Sequence, residues 1–273
     1  MKKSMLSFII LIIGLFTLAG CSATNASVEE KETVVEKEAE KKEEKTNEDE
    51  VTTIVMGTNA EFAPFEYMSG NKVVGFDIDI SEAIASTIDK ELVIENMAFD
   101  SLIPALQAGK VDFVAAGLTV TEERKQHVDF SDPYFVSTQV IIKLADNTEI
   151  NGPDDLVNKK IGAQIGTTGE MLAKDIEGSD VQSFNAGYAA VMDLMNGKVD
   201  AVVIDQEPAK KLIANNEGTV ILDEALSHEE YAIAVPKGNE ELLKAVNDTL
   251  KTIKEDGTYD EFYNQYFKDA SVE

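Results

Sequence analysis

The sequence predicts an α/β protein of two similar lobes that can hinge on one another, and three observations carry that reading. From Val51 onward, short β-branched runs alternate with amphipathic helical stretches, the pattern of βαβ units and a largely parallel sheet. The motif LQAGKVDFV at 106–114 returns as LMNGKVDAV at 194–202, identical at six of nine positions. Finally, 273 residues are ample chain for one large domain or two smaller ones, at roughly 150 residues per domain.

In the first lobe, residues 52–56 read as a strand ending at Gly57. Ile80, Ile84 and Ile88 recur at i+4 as one apolar helical stripe after a start at Asp77 to Asp79. Residues 92–94 form a second strand. Asp100 or Ser101 then caps a helix through Leu102, Leu106 and Ala108 that Gly109 stops. The second lobe has strands at 160–164, 181–184 and 201–204 and helices at 168–176, 187–196 and 207–215. A tail strand at 232–235 and helices at 240–254 and 259–267 are expected to return to the first lobe. Lobe 1 is then 51–140 plus 231–273 and lobe 2 is 141–230, with crossings at 139–143 and 231–235. Two lobes joined by two strands can hinge, and ligands of open α/β sheets bind in the crevice.

Composition narrows the chemistry. With 51 acidic and 24 basic side chains the net charge is −27. A strongly anionic surface is repelled by phosphate backbones and anionic lipid, which excludes nucleic-acid binding and a basic membrane patch. A single cysteine permits neither an internal disulfide nor a thiolate metal cluster. His127 and His228 lack metal spacing, Asp77 to Asp79 is not followed by a calcium loop, and no Ser/His/Asp or Cys/His set is credible. The loop at 164–170 lacks the Gly-Lys-Ser/Thr of a nucleotide site. Neither a catalytic set, a metal nor a cofactor is therefore expected.

The first 20 residues read as a secretory signal. Lys2 and Lys3 precede an apolar run too short for a span of about 20 residues. The run ends in Leu18-Ala19-Gly20-Cys21, which resembles a lipobox and implies a lipid-modified Cys21. Residues 21–50 form an acidic spacer, disordered or transiently helical, with almost nothing apolar to bury.

Arg124 is the only arginine in a chain otherwise dependent on lysine for positive charge. A planar guanidinium grips a carboxylate through two parallel hydrogen bonds, which an ammonium cannot do. The competing reading is a solvated residue beside Glu122, Glu123 and Lys125. Asp205, at the end of a strand, could cap the helix that follows. Phe62 and Phe99, in apolar stretches, could be core.

Seven segments in order carry a resemblance: GTNAEFAPFEY (57–67), VGFDID (74–79), LIPAL (102–106), AGLTVTEER (116–124), VDFSDPY (128–134), QIGTTGE (164–170) and DGTY (256–259). Together they closely resemble the extracytoplasmic solute-binding proteins of polar amino-acid ABC importers, the family 3 type of bacterial solute-binding protein, over residues 51–267. That resemblance implies the two-lobed, type II periplasmic-binding-protein-like fold. It also implies a monomer that delivers an amino acid to a membrane permease and its ATPase subunit.

By the same resemblance, Arg124 clamps the ligand's α-carboxylate with N–H groups of Thr119 and Thr168. Asp205 pairs with its α-ammonium, helped by the Gly117 carbonyl and the Thr119 hydroxyl. Phe62 and Phe99 sandwich the side chain. Asn59, Glu61 and Gln164 contribute specificity, and Ala116 and Thr167 complete the set. Asn59 and Gln164 depart from common relatives, and the balance favours a polar or basic ligand. The alternatives on this fold are a secreted cyclohexadienyl-dehydratase-like enzyme, with Glu61 or Glu170 moving protons, and a ligand-sensing module.

Overall fold

The computed structural model describes residues 52–268. The signal segment, Cys21 and the acidic spacer lie outside the described residues.

The first lobe opens with β1 (Thr53–Thr58) and a small antiparallel meander of β2 (Glu61–Phe62), β3 (Glu66–Ser69) and β4 (Lys72–Val74). Helix α1 (Phe76–Thr87) follows, burying Ile80 and Ile84 on the stripe read from the sequence. Strand β5 (Glu91–Asn96), helix α2 (Leu102–Gln107), β6 (Phe113–Val114) and β7 (Val128–Phe130) come next. Ser101 precedes α2 without a side-chain cap; a single 3-10 turn, Phe99–Ser101, leads in instead.

The second lobe holds β8 (Phe135–Leu144), β9 (Lys160–Gln164), α3 (Thr168–Asp175), β10 (Asp180–Phe184), α4 (Gly187–Met195) and β11 (Ala201–Asp205). Helix α5 (Gln206–Ala214), β12 (Thr219–Ile221) and β13 (Ser227–Tyr231) complete it. The chain then returns through β14 (Ala234–Pro236), α6 (Glu240–Asp256) and α7 (Thr258–Tyr263), with a π turn at Asn264–Lys268.

Each lobe has its own sheet. The first runs β5-β1-β6-β14-β7 and the second β10-β9-β11-β8-β12, with β13 also on β8. The βαβ parts are parallel, β1 with β5 and β6, and β9 with β10 and β11. The strands that link the lobes run the other way. β8 is antiparallel to β11, β12 and β13, and β14 is antiparallel to β6 and β7. Both sheets are therefore mixed rather than largely parallel, because a chain entering a sheet from the neighbouring lobe does so without a crossover helix. Gln139, expected at a crossing, instead pairs with Asp205 inside the second sheet. The linking strands meet at Phe135 opposite Tyr231.

The repeated motif does the same job twice. Gly109 and Gly197 have φ of 66° and 67°, the left-handed conformation that ends a helix. Three residues on from each glycine, Asp112 and Asp200 each stand one residue before a strand, β6 and β11 respectively. The Asp112 carboxylate accepts the Val55 N–H at 2.7 Å, and that of Asp200 accepts the Lys160 N–H at 2.8 Å. Their own N–H groups donate back to the Val55 and Lys160 carbonyls. Each aspartate thus registers an entering strand against its parallel neighbour.

An aromatic cluster braces the linking strands. Phe65 packs edge-on to Phe135 and Tyr231 at centroid distances of 4.8 and 5.2 Å, and Phe267 stacks on Phe135 at 5.1 Å. Buried aromatic pairs of this kind add about 0.5–1.5 kcal/mol each beyond the area they cover. The C-terminal tail returns to the first lobe through β14, which pairs with β6 and β7, and through α6 and α7, which pack against α1.

Candidate ligand-binding site

The two lobes close on a narrow cavity. From the first lobe it is lined by Phe62, Phe99, Gly117, Thr119 and Arg124, and from the second by Gln164, Thr167, Thr168 and Asp205. These residues come from strand ends and the loops after them, where such sheets place their ligands.

Arg124 begins a 3-10 turn, Arg124–Gln126, and its N–H donates to the Thr121 hydroxyl at 3.1 Å. Its guanidinium is buried. Nη1 donates to the Thr119 carbonyl at 2.6 Å, Nη2 donates to the Gly166 carbonyl of the other lobe at 3.0 Å, and the group lies 5.5 Å from the Phe99 ring centroid. Burial pulls the guanidinium below its usual pKa, and the fields of Glu229 and Asp205 oppose that. Among the described residues Arg124 forms no salt bridge. A buried cation satisfied only by carbonyls is costly, and an entering carboxylate relieves that cost.

Asp205 is buried at the start of α5, yet its carboxylate caps nothing. It accepts the Tyr231 hydroxyl, in a short hydrogen bond, and the Ser137 hydroxyl at 3.3 Å. Burial, and then the nearby Glu229, push it up to about 7, while these hydroxyls and Gln139 pull the other way. A carboxyl poised near neutrality in a closed cavity ionises readily once a cation arrives.

Thr167 is the N-cap of α3, its hydroxyl accepting the Glu170 N–H at 3.2 Å and donating to the Gln164 carbonyl at 2.7 Å. The N–H of Thr168 is left at a helix N-terminus on the cavity wall, a favourable place for a negative group.

Gln164 bridges the lobes. Asn59 donates Nδ2 to the Met97 carbonyl at 2.8 Å, so its oxygen is the acceptor for Gln164 Nε2, also at 2.8 Å. That fixes the Gln164 amide and leaves Oε1 buried without a partner among the described residues. An unpartnered acceptor beside the cavity is suited to an N–H donor on a ligand side chain.

Three expected residues sit elsewhere. Asn59 lies one layer back, behind Gln164. Glu61 is exposed on β2 while its neighbour Phe62 is buried, because successive strand residues face opposite sides. Ala116 packs into the first lobe's core beside Leu118 and Ala234, while Gly117 takes the wall. Glu170 does not face the cavity. It accepts from Ser183 and the Gly166 N–H and pairs with Lys174 at 2.8 Å, which hold it below the usual carboxylate range although burial pushes upward.

Asp77 does more than start a helix. Fully buried, it accepts the Gly117 N–H at 2.8 Å and the Tyr134 hydroxyl at 2.7 Å. Buried Glu66, held well above the usual carboxylate range by burial and by Asp77, lies next to it. Gly117 has φ of 50°, and a Cβ there would come within 2.8 Å of the Phe62 ring. Gly117→Ala is therefore expected to cost about 1–2 kcal/mol in backbone strain and to push Phe62 into the cavity. Thermal melts and ligand titration of the variant check both effects.

Sequence reasoning missed Glu229, Ser137, Tyr231 and Glu66. The run Ser227-His228-Glu229-Glu230-Tyr231 reads as polar surface, yet it is a linking strand whose alternate residues Glu229 and Tyr231 turn inward.

Residues 54–269 match the family described as bacterial extracellular solute-binding proteins, family 3. The chain belongs to that family. Among family 3 relatives, a probable histidine-binding protein of Campylobacter jejuni is 35% identical, covering 97% of this chain and 99% of that protein. An ancestral arginine-binding protein solved with arginine is 45% identical, covers 79% of this chain and 98% of its own, and superposes with a TM-score of 0.76. A third, solved as an ancestral amino acid-binding protein described as a precursor of cyclohexadienyl dehydratase, is 38% identical, with coverage of 79% and 95% and a TM-score of 0.73. The type II two-lobed fold is thus common to this family 3 protein and its solved relatives. No helix among the described residues is long and apolar enough to cross a membrane.

Proposed function

We propose that the protein is the substrate-binding component of an amino-acid ABC importer, holding one amino acid, polar or basic, between its lobes. The observation that carries this reading is the buried Arg124, without a salt bridge among the described residues, sharing one cavity with Asp205. Arg124 and the N–H groups at the start of α3 receive the α-carboxylate. Asp205, Thr119 and the Gly117 carbonyl receive the α-ammonium, and Phe62 and Phe99 cover the side chain. The buried, partnerless Gln164 Oε1 favours a side chain that donates N–H. The relatives named for histidine and arginine support that class.

Closure then makes sense energetically, since each buried charge becomes worthwhile only when a zwitterion bridges them. The closed form is the one for a permease to recognise. The protein acts as a monomer tethered through lipid on Cys21, with the acidic spacer lifting the lobes off the membrane. Of the two groups considered for proton transfer in an enzyme, Glu61 faces solvent and Glu170 is tied to Lys174, which favours binding over turnover.

A thermal-shift panel of the twenty amino acids tests the reading. A true ligand at 100 times its dissociation constant is expected to stabilise by about 2.7 kcal/mol. A panel flat for all twenty would overturn it.

A further inference from the structure

Glu229 lies outside every role assigned so far, and it is buried, 8% exposed, between the lobes. Its Oε2 accepts the Thr119 hydroxyl at 2.6 Å, the Thr168 hydroxyl at 2.8 Å and Gln139 Nε2 at 3.3 Å. Its Oε1 accepts the Ser227 hydroxyl at 3.1 Å. Thr119 belongs to the first lobe and Thr168 to the second, so one carboxylate on a linking strand holds a hydroxyl from each.

The consequence follows from hydrogen counting. A carboxylate only accepts, and a threonine hydroxyl has a single hydrogen with two lone pairs. Both hydrogens are committed to Glu229. Thr168 also accepts from Gln139 Nε2 at 3.2 Å, which fixes its orientation further. Thr119 and Thr168 both line the cavity, and what their hydroxyls can still offer is acceptor capacity. Such hydroxyls attract ammonium and repel carboxylate oxygen, leaving the carboxylate to Arg124 and the backbone N–H groups at the start of α3.

The charge count points the same way. The charged groups facing this region are Arg124 from the first lobe, Asp205 from β11, Glu229 from β13, and Asp77 behind Gly117. Burial pushes the Glu66 carboxyl beside Asp77 and the Tyr231 hydroxyl well above their usual ranges. Acids outnumber the one base. A zwitterion leaves that excess in place, whereas an amino acid with a cationic side chain reduces it, inside a closed cavity where water screens little.

Building on the function proposed above, we propose that Glu229 is a positioning residue for recognition. It orients the Thr119 and Thr168 hydroxyls as acceptors toward the ligand and supplies the second buried negative charge that biases the site toward cationic amino acids.

The test compares wild type, Glu229→Gln and Glu229→Asp, each first shown to melt cooperatively. Calorimetric titration with L-arginine and with L-glutamine is expected to show the arginine-to-glutamine preference falling at least about tenfold in Glu229→Gln, the low end for close charge pairs. Glu229→Asp keeps the charge but draws it back from the hydroxyls, so it is expected to weaken both ligands while retaining the preference. Equal losses for both ligands in Glu229→Gln, or a lost preference in Glu229→Asp, would overturn the proposal.

A ligand-free readout stands beside these. The 13C NMR titration of the Asp205 carboxyl is expected to move to lower pH in Glu229→Gln, because a neighbouring negative charge is gone; a purely structural role would leave it unmoved, and that result would also overturn the proposal. If wild type binds neither amino acid, the functional reading above is what suffers, and the Asp205 titration still decides the role of Glu229.

Discussion

Replacing Arg124 by alanine is expected to abolish amino-acid binding while leaving the fold intact. Removing one member of a buried, hydrogen-bonded charge pair costs about 2–5 kcal/mol, or roughly 30-fold to several-thousand-fold in affinity. The folded protein loses little, because the guanidinium is satisfied only by the Thr119 and Gly166 carbonyls and its burial is itself unfavourable. Unliganded Arg124→Ala should therefore melt near wild type, and calorimetry should detect no binding at ligand concentrations that saturate wild type. Arg124→Lys should recover little, since an ammonium cannot form two parallel bonds to a carboxylate. Wild-type affinity in Arg124→Ala would remove the carboxylate clamp from the mechanism.

The second large effect belongs to Asp205. Its carboxyl is pushed from an ordinary 3.8 up to about 7, first by burial and then by Glu229. A folded-state pKa above the unfolded value means that the group's stability contribution is fully present below about 4. That contribution is lost as pH rises through about 7. At about 1.4 kcal/mol per pKa unit, the loss for the unliganded protein is on the order of 4 kcal/mol. Asp205→Asn should therefore be more stable than wild type above pH 7 without ligand, a comparison for denaturant melts at pH 5 and pH 8.

Binding runs the opposite way. A ligand ammonium pairs with ionised Asp205, so below about pH 7 each binding event must release a proton. Wild-type affinity should climb by up to tenfold per pH unit between pH 5 and 7 and then level. Asp205→Asn should bind weakly at every pH, with no such slope. Titrations in two buffers of different ionisation enthalpy read the released proton directly. A wild-type profile flat from pH 5 to 8 would show that Asp205 does not meet the ligand's ammonium.

Much of the site was legible in the sequence, for chemical reasons. Arg124 stood out because a chain that otherwise uses lysine kept one guanidinium, and its planar fork does what lysine cannot. Asp205 ended an apolar strand, where a carboxylate is expensive unless partnered. The doubled Gly-Lys-Val-Asp motif announced two lobes, and the structure gives its aspartates one repeated task, the registration of an entering strand. Other residues were hidden. Asn59 and Glu61 looked equivalent, but Glu61 on β2 faces solvent, whereas Asn59, in the short link between β1 and β2, is bonded to Gln164. Glu66 and Asp77 sit in separate local elements, and nothing in either segment shows that they share a buried space with Gly117.

Taken alone, the sequence determined the alternation of strands and helices, the doubling of the lobe and the chemical kinds of group available to a ligand. Those follow from hydrophobic period, turn residues and side-chain chemistry, which act over a few neighbouring positions. Only the tertiary structure decided which groups meet. The antiparallel linking strands carry Glu229 and Tyr231 inward from a run that reads as surface, place them beside Asp205 and the threonines of both lobes, and set the charge balance of the cavity. Contacts between residues some sixty to a hundred and ten positions apart are fixed by packing and burial, and those are properties of the folded whole.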